Sequence, residues 1–103
     1  MAWENIHVDD FGWVGNLTIK QDGVAVDVSS YTTLQFVFES PSGVDSTETA
    51  AFDSDGTDGV ITYTVQDGDI DEVGIWKVSA RVAKTGAELT SDPLLFEVLP
   101  RTD

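Results

Sequence analysis

The feature that most narrows what this chain folds into is a two-residue alternation of apolar and polar side chains. Trp76, Val78, Ala80 and Val82 alternate with Lys77, Ser79, Arg81 and Ala83. Successive side chains of a strand point to opposite faces, so this spacing places one face in a core and the other in water. The pattern recurs over residues 14–20, where Leu17 and Ile19 oppose Asn16, Thr18 and Lys20. It recurs again where Leu34, Phe36 and Phe38 alternate with Gln35, Val37 and Glu39. Residues 60–65 are dense in β-branched and aromatic side chains, which suit a pleated, half-buried surface. No segment holds a helical period for more than about one turn. The chain is expected to be all-β.

Turn chemistry separates these runs. Gln21-Asp22-Gly23, Ser40-Pro41-Ser42-Gly43 and Lys84-Thr85-Gly86 supply Gly and Pro where tight turns need them. Residues 24–28 read as a short strand, residues 47–52 as a weaker one, and residues 53–59 as a polar loop. Residues 66–74 are the one place where a helical turn fits, with Asp67 or Asp69 as its N-cap. A last strand spans residues 89–98, with Leu94, Phe96 and Val98 toward the core. Pro93 lies early in it, which suits an edge or a bulge. Seven to eight strands at a spacing of about 8–12 residues predict an antiparallel β-sandwich with Greek-key connections.

At 103 residues the chain is long enough for one core and too short for two. Its hydrophobic content of 41% excludes a disordered reading. There is no cysteine, hence no disulfide framework, thiol nucleophile or Cys-based metal site. Nineteen acidic residues face five basic ones, for a formal net charge of −14. Nucleic acid and anionic membranes are disfavoured as partners, because both require clustered cations. Asp outnumbers Glu and there are only three lysines, Lys20, Lys77 and Lys84, a balance that also suits a saline habitat. The opening Met-Ala-Trp-Glu-Asn-Ile lacks the order of a secretory leader.

Three local patterns arrive in sequence. Residues 24–29 after an Asp-Gly turn lead into Leu34-Gln35-Phe36-Val37-Phe38 and Pro41-Ser42-Gly43. Residues 55–63 then lead through residues 68–74 to Ile75-Trp76, and residues 91–98 close the run. Together they resemble the small immunoglobulin-like virion domains of tailed phages, similar to the N-terminal domain of phage baseplate upper proteins. The resemblance covers residues 13–98. It implies an immunoglobulin-like antiparallel sandwich over residues 13–99 and a structural, non-enzymatic role in a virion, whether on the capsid or in the tail or baseplate. The implied partners are other virion proteins or further copies of the chain, with no cofactor and no catalytic residue. In such a fold the Gly74-Ile75-Trp76 corner places an aromatic ring at the end of the core, a task usual for Tyr. Trp76 would then satisfy the corner through an indole N–H donor.

Residues 1–12 lie outside the resemblance and residues 100–103 form a short tail. The first segment carries Trp3, Ile6 and Val8, with Phe11 and Trp13 close behind. Such a density of large apolar groups predicts either an extra strand on the domain's own core or a docking arm. In the second case Trp3, Ile6, Phe11 and Trp13 are the partner-binding residues, because aromatics dominate interface energetics. Asp53, Asp55 and Asp58 with Gly56 and Gly59 are weak candidates for a calcium loop, their spacing departing from that of an EF-hand. Paired carboxylates for glycoside hydrolysis lie in turns with little scaffold for a pocket. His7 stands without an identifiable nucleophile. The rival to a virion component is a carbohydrate- or cell-surface-binding sandwich, which would need two or more coplanar exposed rings on one face.

Overall fold

The computed structural model describes residues 3–101, among which there is no helix. Eleven strands follow in order: β1 (Ile6–His7), β2 (Val14–Thr18), β3 (Lys20–Gln21), β4 (Val24–Ala25), β5 (Thr33–Glu39), β6 (Asp45–Thr49), β7 (Ala51–Phe52), β8 (Val60–Thr64), β9 (Gly74–Lys84), β10 (Ala87–Thr90) and β11 (Leu94–Leu99). The larger sheet has the order β1-β11-β9-β5-β6, with β10 also on β9. The smaller has the order β2-β8-β7, and β3 with β4 forms a separate hairpin. All pairings are antiparallel except β1 with β11, where Ile6 faces Val98 and His7 faces Leu99.

The alternation read from the sequence decides what each strand buries. Phe36 and Phe38 of β5, Trp76, Val78, Ala80 and Val82 of β9, and Phe96 and Val98 of β11 point inward from the larger sheet. Leu17, Ile61, Tyr63 and the flanking Trp13, Ile19 and Val65 answer from the smaller one. The two layers meet in a sandwich-like arrangement, with the Tyr63 ring 5.9 Å from Phe36 and 6.0 Å from Phe38. Burying side chains of this size contributes about 1.5–3 kcal/mol each before conformational entropy is charged against it.

Breaks in the strands have local causes. The run over residues 14–20 splits at Ile19, whose N–H donates to Gly59 O while its carbonyl accepts from Val26 N. The chain thereby leaves β8 and enters the β3–β4 hairpin, so the strand expected over residues 24–28 shrinks to Val24–Ala25. The last strand divides at Ser91–Pro93. Thr90 faces Arg81 but Leu94 faces Val78, so one extra residue is spent on the returning strand, which is a β-bulge. Pro93 sits in it, where no ladder N–H is required. Ser91 repairs the ladder: its N–H donates to Ala80 O, and its Oγ accepts the Ala80 N–H, both at 2.8 Å.

The helical turn expected over residues 66–74 is a correction: turns and bends occupy it instead. Asp69 caps no helix. Its Oδ2 accepts the Gln66 N–H at 2.8 Å and the Tyr63 hydroxyl at 2.5 Å, tying the chain down as it leaves β8. Trp76 fills the corner as expected, and its indole N–H donates to Glu72 O at 3.0 Å.

Candidate functional site

The N-terminal segment folds back on its own domain. Ile6 is fully buried and Trp13 is nearly so, which removes both from the surface where a docking arm would present them. Trp3 is half-buried, and only Phe11 of the four expected contact residues is exposed, at 59%.

Trp3 lies in a socket between the two layers. Its ring centroid is 5.2 Å from that of Phe96, 6.2 Å from Phe36, and 5.4 Å from Trp13 in an edge-on approach. Its indole N–H donates to Asn16 O of β2 at 3.2 Å. The socket exists because residue 15 is glycine: a Cβ there would stand 2.5 Å from the Trp3 ring. Trp3 holds this position at a φ of 69°, and Asn5 and Asp9 also have positive φ, at 56° and 69°. Left-handed backbone is costly for a residue with a Cβ, so tertiary contacts must hold it.

Those contacts converge on Asp10 and Arg101. The His7 N–H donates to Asp10 Oδ2 at 2.9 Å, and Arg101 Nη2 donates to Asp10 Oδ1 at 2.9 Å. Arg101 Nε also donates to Val8 O at 2.7 Å, while the Asp9 N–H reaches Ile70 O. The His7 amide chiefly holds the Asp10 carboxyl below its ordinary value of 3.8; burial opposes it, and the Arg101 guanidinium adds a further lowering. A lowered folded value means the clamp stabilises fully above about 3.8 and weakens as pH falls through the folded value. The Trp3 indole N–H resonance is therefore expected to move toward its free position on acidification below that point. Asp10→Asn should abolish the shift, and a resonance indifferent to pH would remove the clamp from the account.

The remaining candidates are occupied by turn-building. Asp55 Oδ1 accepts the N–H and hydroxyl of Thr57, and Asp58 Oδ1 accepts the Val60 N–H. Among the described residues no three His, Cys, Asp or Glu side chains gather where a metal could be held. The Thr57 hydroxyl and amide lower the Asp55 carboxyl, as Ser29 does for Asp27. His7 Nδ1 lies 3.8 Å from Asp10 Oδ2, within the clamp.

Sequence reasoning missed a cavity of about 280 Å³ beside the Trp76 corner, rimmed by Ser40, Ser46, Glu48, Asp69, Asp71 and Glu72. Ser42 donates to Glu72 Oε2 at 2.8 Å at its mouth. Burial, and next the hydrogen bond to Asp69, raise the Tyr63 hydroxyl far above its ordinary value, so it serves as a donor and not as a base. The outer face of the larger sheet carries Ile75 and Leu95 exposed, with Val73 exposed just before β9, Lys77 paired to Glu39 at 3.4 Å and Arg81 to Glu88 at 2.7 Å. No family model matches this sequence, and no curated protein or solved structure matches it.

Proposed function

We propose that the chain is a non-enzymatic structural module of a tailed-virus particle, an immunoglobulin-like Greek-key sandwich that acts by protein–protein contact on the capsid or in the tail or baseplate. The observation that carries this reading is the strand order. The division into a β2-β8-β7 sheet and a β1-β11-β9-β5-β6 sheet supports an immunoglobulin-like reading, a sandwich of two largely antiparallel sheets. Trp76, hydrogen-bonded to Glu72 O just as β9 begins, fits the aromatic corner of that fold. Both features agree with the phage-domain resemblance of residues 13–98. Localisation in a virion and contacts with other virion proteins follow from the same reading.

The carbohydrate-binding alternative is less well supported. A sugar platform needs at least two exposed rings side by side, and Phe11 alone among the described aromatic residues is exposed. Mass spectrometry of the particle or complex with which the native protein co-purifies tests the choice. Virion proteins are the expected companions, whereas recovery free of any particle together with glycan retention would overturn it.

The acidic surface suits a particle from saline surroundings. Self-repulsion among the carboxylates is screened within about 3 Å at molar salt, so the melting temperature should climb markedly from low to molar NaCl. A flat response would leave the charge as a solubility device.

A further inference from the structure

We propose that the N-terminal arm, residues 3–8, exchanges between two copies of the chain, each arm filling the other copy's socket. This rests on the reading above only in taking the module to work by protein contact; the particle plays no part in it. The arm is built as a removable plug. Its ladder is two residues long, parallel, and at the very edge of the larger sheet, so no other strand pairing breaks when it leaves. The socket is shaped by the rest of the chain, since Gly15, Asn16, Phe36 and Phe96 line it whether or not Trp3 comes from the same molecule.

Exchange keeps the contacts of Trp3 and Ile6 with the socket and rearranges the link at residues 9–12, where Asp10 gives up its bonds to the His7 N–H and to Arg101 and the Asp9 N–H leaves Ile70 O. That link is where the closed form is strained and exposed together. Asp9 has a φ of 69°, which an extended link would release. Phe11, the one exposed aromatic ring among the described residues, sits in the same link. Contacts absent from the single molecule arise only where the two links run side by side, and Phe11 there gains a second Phe11 to cover it. The partner is thus another copy of this chain, related by a closed two-fold exchange. Those lost bonds oppose exchange, as does charge, −14 on each copy, which salt screens.

The chain has no cysteine, so cross-linking reads the exchange without background. His7 and Leu99 face each other across the β1–β11 pair, and neither is buried. Full-length His7→Cys and Leu99→Cys variants are mixed at high concentration in molar NaCl, equilibrated and oxidised. A mixed disulfide dimer well above the statistical proportion is expected, reduced several-fold when both carry Phe11→Ser. If the mixture gives only monomer or a statistical set of dimers, while the double variant closes within one chain, the arm does not exchange. That outcome leaves co-purification with virion proteins untouched, so the two readings fail separately.

Discussion

Trp76→Ala should unfold this domain more readily than any other single truncation of the corner, by about 3–5 kcal/mol, the cost of deleting a buried large aromatic. The ring is 3% exposed and stacks on Phe96 with centroids 6.2 Å apart. Its removal would open a void between the layers beside the existing cavity, and the Glu72 carbonyl would lose its donor. A domain of this size loses roughly 4–8 °C per kcal/mol, so the melting midpoint should fall by about 12–40 °C. Trp76→Phe separates the two contributions. It keeps most of the packing and forfeits the hydrogen bond, for about 1–2 kcal/mol. Denaturant titrations of both variants measure the difference. A loss under about 1 kcal/mol for the alanine variant would mean the ring bears little of the corner.

Gly59→Ala is expected to cost about 2–4 kcal/mol, combining a left-handed backbone with overpacking. Gly59 has a φ of 76°, and an added Cβ would stand 2.6 Å from Val26 O and 3.0 Å from Ile19 O. Both are backbone atoms that carry the crossing from β2 into the β3–β4 hairpin, so neither can swing aside as a long side chain would. Gly43→Ala is the control: its φ is 90°, but nothing lies within 4 Å of the new methyl. It should lose only the conformational part, about 1 kcal/mol. Equal losses at the two positions, read from unfolding midpoints, would show that the close approach at Gly59 is relieved by local movement.

Much of this architecture was legible because alternation and burial are the same fact seen twice. Phe36, Phe38, Trp76, Val78, Ala80 and Val82 had to lie on one side of their strands, and they do. Pro93 foretold the bulge, because a residue without an N–H has no place in an uninterrupted ladder. The hydroxyl of Ser91 that completes the bulge was not legible, since its partner Ala80 is eleven residues away and the pairing depends on register. Asp69 was misread for a related reason. An aspartate before a turn looks the same whether it caps a helix or accepts from a tyrosine on the preceding strand. The N-terminal segment offered two outcomes, strand or arm, and sequence could not rank them. The ranking depends on Gly15, whose missing side chain makes room for Trp3. The clamp at Asp10 escaped notice because Arg101 comes from the opposite end of the chain.

The two ends of the five-strand ladder are unlike. At one end lies β1, two residues long. At the other lies β6, Asp45-Ser46-Thr47-Glu48-Thr49, a short polar rung carrying two acids and no apolar side chain. A rung of that kind repels a like strand laid alongside it, as charge on an exposed edge generally does. Growth of the sheet from copy to copy would need both ends to accept a neighbour. With its β6 end closed to addition, the larger sheet cannot lengthen from copy to copy as a continuous ribbon. Open-ended growth through the larger sheet is therefore opposed by five residues at its far margin.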